Sequence, residues 1–202
     1  MYTEKKKVKR HLHSNTLREA GKWHEIVKYK PENYNEEGVY TVDEWTHISD
    51  VGRVFNGHIF TIEEYLVTED RYASVVISLM KAHNCQYITI GNLLYCETKR
   101  EKMNREKEML SDPYSYHNIP LLPTLRTIRL GERIHISNRK RIEDAVRLNL
   151  RGYIYVYLMN RRQNLIIDFG YDLYMLLKSR LSKDSLRKIV VKEGLYLDPR
   201  ND

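Results

Sequence analysis

Thr61-Ile62-Glu63-Glu64 reads as a capping box, and it fixes one element of any fold this chain adopts. A Thr hydroxyl there meets a free helix N–H while Glu64 reaches back to the cap. Phe60 and Tyr65 stand at the hydrophobic-staple positions on either side of it. Behind the cap, Ile62, Tyr65, Leu66, Tyr72, Ala73, Val76, Leu79 and Met80 recur at helical spacing, so the pattern predicts a helix to about His83.

Beyond His83 the chain alternates between strand-like and helix-like runs. Gln86 to Tyr95 is β-branched with Gly91 near its middle and reads as a strand. Glu97 to Leu110 is densely charged and reads as a solvated helix. Ser111 to Pro123, with Asp112-Pro113, Pro120 and Pro123, reads as a loop or crossing segment, and any subdivision of the chain falls around 97–124. Arg133 to Ile136 is a short strand, Asn138 caps a helix through Leu148, and Tyr153 to Leu158 is strongly strand-like. Asn160 to Asn164 reads as a hairpin turn and Leu165 to Phe169 as its return strand, with Tyr171 to Leu177 continuing past a bulge at Gly170. Asp184 to Lys192 fits a short helix, Gly194 its C-terminal stop, and Leu195 to Leu197 a final strand. Upstream, Trp23 to Tyr29, Gly38 to Val42 and Glu44 to Gly52 are short strand-like or irregular runs. Antiparallel strands with inserted helices predict an α+β fold, a mostly antiparallel sheet in a single domain over 23–202. Residues 1–22 read as a basic, weakly ordered arm.

Charge is distributed in blocks. Residues 1–30 hold nine Lys/Arg against three Glu, a net of +6. Residues 31–75 hold two Arg against ten acidic side chains, −8, and residues 76–202 hold 23 basic against 14 acidic, +9. The total of +7 therefore hides an acidic block between two basic ones, and such asymmetry bears on partners rather than on fold. The cluster Lys5, Lys6, Lys7, Lys9, Arg10 precedes no apolar stretch and does not read as a signal peptide. No apolar run approaches the roughly 20 residues that span a bilayer, so no membrane partner is expected. Cys85 and Cys96 are too few for a disulfide framework and match no zinc spacing, which suits buried thiols in a cytoplasmic protein.

The chain lacks a phosphate-binding glycine loop and a nucleophile elbow. His11-x-His13 lies in the basic arm and reads as solvated rather than as a metal pair. Glu63, Glu64, Glu69 and Asp70 are the candidate carboxylates for a metal-dependent nuclease; the plainer reading is a solvated helix face. No catalytic constellation, metal or cofactor is expected. For a nucleic-acid-binding protein, the alternative function, Arg139-Lys140-Arg141 and Arg161-Arg162 would meet phosphates. Tyr153, Tyr155 and Tyr157 would then stack on bases from one strand face. With 16 Tyr against 3 Phe and 2 Trp, ordinary packing of tyrosine at core edges is the competing account.

Two stretches carry a resemblance. Glu44-Trp45-Thr46-His47-Ile48-Ser49-Asp50-Val51-Gly52, leading into Glu63-Glu64-Tyr65, resembles a W-T-x-I-S-D-[IV]-G motif followed by E-E-Y. Ile167-Asp168-Phe169-Gly170-Tyr171-Asp172-Leu173-Tyr174-Met175 resembles an aromatic F-G-Y-D-x-Y-M strand. Both are similar to stretches of bacterial immunity proteins that neutralise the toxin domains of contact-dependent growth inhibition and related polymorphic-toxin systems. The resemblance implies a cytoplasmic, non-catalytic protein that binds one cognate toxin domain and blocks its active site or an essential surface. Many such toxins are nucleases with basic faces, which an acidic, aromatic patch would fit. The residues implied for that patch are Tyr34, Glu36, Glu37, Tyr40, Asp43, Glu44, Trp45 and Asp50, with Asp168, Tyr171, Asp172 and Tyr174 from the second motif. The overall +7 departs from the acidic character expected of a nuclease inhibitor. Trp45 as a core residue and Asp50 as a turn former are the structural alternatives.

Overall fold

In the computed structural model, which describes residues 23–201, alternation of side chains builds one large sheet. The arm 1–22, with His11, His13 and the lysine cluster, lies outside the described residues. In chain order the elements are β1 (Trp23–Val27), β2 (Val54–Phe55), β3 (His58–Ile59), α1 (Ile62–Ala82), β4 (Tyr87–Leu94), α2 (Lys99–Ser111), α3 (Ser115–Asn118) and α4 (Leu122–Thr127). They continue as β5 (Arg133–His135), α5 (Arg139–Leu150), β6 (Tyr155–Asn160), β7 (Leu165–Phe169), β8 (Met175–Lys178), α6 (Lys183–Lys192) and β9 (Tyr196–Leu197). Seven strands pair antiparallel in the order β5-β4-β6-β7-β8-β1-β9, and β2 and β3 form a separate hairpin. The chain is a single α+β domain with a mostly antiparallel sheet.

The core lies on one face of the sheet. Ile88 and Ile90 of β4 and Val156 and Leu158 of β6 are fully buried among Tyr72, Val76, Leu79 and Met80 of α1 and Ile142, Ala145 and Val146 of α5. Each fully buried aliphatic side chain contributes about 1.5–3 kcal/mol. The α1 cap forms as its sequence predicts: Thr61 accepts from Glu64 N, and the Glu64 carboxylate accepts from Thr61 N at 2.9 Å. Phe60 and Tyr65 are both buried in the staple, with Ile48. Gly91 sits where the β4–β6 register shifts, and a Cβ there would meet the Met159 methyl at 2.2 Å.

Three local expectations change and an open one is decided. Residues 111–123 are helical rather than a loop except for the turn Asp112–Tyr114, because Pro120 and Pro123 stand at the starts of a short 3-10 turn and of α4, where a missing N–H removes no helix bond. The run 171–177 is not one strand: Gly170 to Tyr174 is a tight turn, closed by Gly170 N donating to Tyr174 O at 2.7 Å, and β8 begins only at Met175. Residues 38–42, which the sequence leaves open between strand and irregular backbone, are irregular apart from an isolated bridge between Tyr34 and Tyr40. Tyr153 precedes β6 instead of opening it.

The segment around 97–124 is tied into the same core by a buried polar network. Glu69 of α1 and Arg151, at the end of α5, form a two-pronged ion pair at 2.7 and 2.6 Å, and Arg151 also donates to the His117 carbonyl and to Asn118 Oδ1. Asn118 in turn donates to the Met109 carbonyl and to the Tyr153 hydroxyl. Burial pushes the Glu69 carboxyl upward, opposed by Arg151, whose guanidinium the pair keeps charged. Glu69 is thus an internal strut, not part of a solvated helix face.

Candidate functional site

The acidic block becomes a loop with a defined shape. After β1 the chain passes through a 3-10 turn at Pro31–Asn33 and then closes on itself between Tyr34 and Tyr40. The Asn35 side chain accepts from Glu37 N at 3.1 Å and Val39 N at 2.8 Å, while Gly38 supplies a left-handed φ of 73°. This holds Glu36 and Glu37 at the tip, both exposed.

Beneath the tip lies a cluster of rings. Tyr29, at 5% exposure, is its centre: Tyr40 meets it edge-on at 5.0 Å between centroids and Tyr174 at 5.5 Å. Tyr34 packs edge-on against Tyr40, also at 5.0 Å. The Arg200 guanidinium lies 5.3 Å from the Tyr34 ring and 5.7 Å from that of Tyr174, held there by the buried carboxylate of Asp198. On the other side, Lys28 Nζ stands 4.2 Å from the Trp45 ring and 4.5 Å from that of Tyr29, and pairs with Glu44 at 3.0 Å. Burial draws the Lys28 ammonium below its usual range, while Glu44 pulls the other way. The Tyr40 hydroxyl donates to Glu44 at 2.7 Å, and burial, with Glu44 adding to it, pushes this phenol up to about 12. Trp45 is half-buried and stacks on Phe60 at 4.1 Å.

The second motif reaches the same place. Asp172 and Leu173 both adopt left-handed backbone, φ 58° and 59°, which is unfavourable for leucine. Two tyrosine hydroxyls hold the turn: Tyr29 donates to the Asp172 carbonyl at 3.0 Å and Tyr72 to the Leu173 carbonyl. The turn thereby presents Tyr171 to solvent at 84% exposure, with the Asp172 side chain exposed beside it.

Of the residues implied by the resemblance, Tyr34, Tyr40, Glu44, Trp45 and Tyr174 meet in this cluster. Glu36, Glu37, Asp43, Tyr171 and Asp172 are exposed around it. Asp50 and Asp168 are not surface groups. The Asp50 carboxylate accepts from Thr46 N and His47 N and pairs with Arg53 at 2.6 Å, which shapes the turn and holds the carboxyl below its usual range despite burial. Asp168 is 7% exposed and accepts from the Tyr155 hydroxyl at 2.9 Å. Lys28, Tyr29, Asp198 and Arg200 belong to the cluster although no sequence motif marks them. Only the apolar run ending at Tyr29 hints at any of them.

The other candidates disperse. Glu63 is exposed, Glu64 serves the helix cap and meets His58 at 2.9 Å, Glu69 pairs with Arg151, and Asp70 pairs with Arg147 at 2.8 Å. Among the described residues no group of three or more His, Cys, Asp or Glu is placed to hold a metal ion. Arg139, Lys140 and Arg141 are each committed to a carboxylate, of Glu143, Asp144 and Glu132 in turn. Tyr153 is buried with its hydroxyl on Asp112 and Asn118, and Tyr155 is tied to Asp168, so the three tyrosines do not form a stacking face. Both cysteines are buried and unpaired, and burial raises both thiols, Cys96 to about 11. No helix among the described residues is long and apolar enough to cross a membrane. Comparison with protein-family models, with curated proteins and with solved structures returned no match.

Proposed function

We propose that the protein is an immunity protein that binds a cognate toxin domain through the acidic and aromatic surface formed by the 34–44 loop and the 170–174 turn. The observation that carries this reading is the bracing of that surface. Its exposed groups, Glu36, Glu37, Asp43, Tyr171 and Asp172, ride on a ring cluster locked by Tyr29, Arg200 and Lys28. A surface already fixed in its bound shape loses little conformational entropy on association. An exposed tyrosine beside the Asp172 carboxylate, with Glu36, Glu37 and Asp43 exposed on the 34–44 loop, supplies an anchor with steering charge for a basic partner. A basic face is what a nuclease toxin needs to hold phosphates.

The test is direct. The purified protein, in excess over the toxin domain encoded beside its gene, abolishes the toxin's activity and forms a one-to-one complex with it. Full toxin activity under those conditions ends the proposal. Charge reversal at Glu36→Lys and Glu37→Lys lowers the association rate and flattens its dependence on salt.

A further inference from the structure

The opposite corner of the sheet carries a different surface. Tyr87 and Thr89 of β4, Arg133 of β5 and Met159 of β6 share the face away from the core, because Ile88, Ile90, Ile134 and Leu158 between them point into it. The turn after β6 brings Arg161 and Arg162 to the same place. Together these groups line an open cleft of about 230 Å³ without a carboxylate in its wall. Arg133, Arg161 and Arg162 make no ion pair among the described residues, unlike Arg139, Lys140 and Arg141 nearby.

The turn carrying two of these arginines is clamped from within. Asn160, at 4% exposure, donates to the Tyr87 carbonyl at 2.8 Å and accepts from Gln163 N at 3.2 Å. The Gln163 carbonyl accepts from Nδ1 of the fully buried His83 at 2.9 Å. Asn164 closes the turn in left-handed backbone, φ 50°. Two buried polar side chains thus fix a turn whose two arginine side chains are exposed. Tyr87 is part of the same unit, since its backbone anchors Asn160 while its ring packs 5.0 Å from the Arg133 guanidinium.

We propose that this cleft binds a phosphomonoester, the terminal phosphate of a nucleotide. Guanidinium groups match phosphate oxygens in paired, charge-assisted hydrogen bonds, and three of them around one cleft suit a dianion. The Tyr87 ring and Met159 give the wall an apolar side for the attached sugar or base. The volume is below the roughly 300–1,000 Å³ of sites for larger ligands, which limits the occupant to one nucleotide unit. Phosphate binding here is independent of toxin binding, since the two surfaces lie at opposite ends of β7: the 161–164 turn leads into that strand and the 170–174 turn leaves it, about 17 Å away along five residues.

The experiment is a calorimetric titration of the full chain at low salt with adenosine 5′-monophosphate and with adenosine. The monophosphate binds, adenosine binds at least about tenfold more weakly, and Arg161→Ala/Arg162→Ala lowers monophosphate affinity by about tenfold or more with its unfolding midpoint unchanged. No binding of the monophosphate, equal binding of adenosine, or a double variant that binds like the parent overturns the proposal. A trinucleotide RNA with a 5′-phosphate locates the source. Tighter binding than the monophosphate assigns the site to an RNA end, and equal binding assigns it to a free nucleotide. If the same RNA with a 5′-hydroxyl binds as tightly as the phosphorylated one, the site reads backbone charge and the proposal fails.

Discussion

The two ends of this protein use charge in opposite ways. At the β1 end the cations that support the surface are paired: Lys28 with Glu44 and two rings, Arg200 with Asp198 and two more, while the tip carboxylates of Glu36 and Glu37 are exposed. At the β5 corner the division runs between neighbours in sequence. Arg139, Lys140 and Arg141 are neutralised in place, while Arg133, Arg161 and Arg162 are left for something else. A net charge of +7 therefore describes neither surface. Pairing decides which charges a partner can feel.

The contrast between the two ends breaks most easily at Tyr29. Removing the ring that Tyr40, Tyr174 and Lys28 share, by Tyr29→Ala, costs about 3–5 kcal/mol, read from urea unfolding. Tyr171→Ala, at the exposed tip of the same surface, stays within about 0.5 kcal/mol. Equal losses at the two positions would mean that the cluster does not brace the tip.

Asn160→Ala tests the clamp at the other end. It leaves the Tyr87 carbonyl and Gln163 N without their partner and costs about 1–3 kcal/mol, with faster amide exchange at Gln163. An unchanged midpoint and exchange rate would show the turn to be held by the strands alone.

A smaller effect depends on pH. The Gln163 carbonyl only accepts, so His83 carries its proton on Nδ1, and Nε2 takes the Ser179 hydroxyl at 2.8 Å. Burial, with Arg180 nearby, lowers the affinity of the ring for a second proton below the usual 6.5. The unfolded chain then binds more protons than the folded one as pH falls through about 6.5, so the stability is full above that range and declines below it. His83→Gln removes that decline; a wild-type stability curve flat from neutral pH to below 6 contradicts the assignment.

The smallest change is expected at Lys140→Ala, because an exposed lysine on a helix loses only about 0–1 kcal/mol with its partner. Its informative readout is the affinity for adenosine 5′-monophosphate, which stays as in the parent while Arg161→Ala weakens it. Equal losses would erase the distinction between paired and unpaired cations.

What the sequence alone determined is local. The cap at Thr61, the strand around Gly91, the polar turn after Met159 and the stop at Gly194 each rest on groups a few residues apart, and each appears where the pattern places it. The acidic block and its aromatic residues were also legible, although two of the proposed carboxylates, Asp50 and Asp168, turned inward. Prolines misled at 111–123, because composition does not say whether a proline breaks a helix or starts one. The tertiary structure decided the partners. Arg200 reaches Tyr34 across 166 residues, Arg151 reaches Glu69 across 82, and the left-handed turn at Leu173 is held by a tyrosine 101 residues away. No periodicity encodes such meetings, since they depend on how strands far apart in the chain are ordered in the sheet. That order sets which charges are cancelled and which remain at the surface.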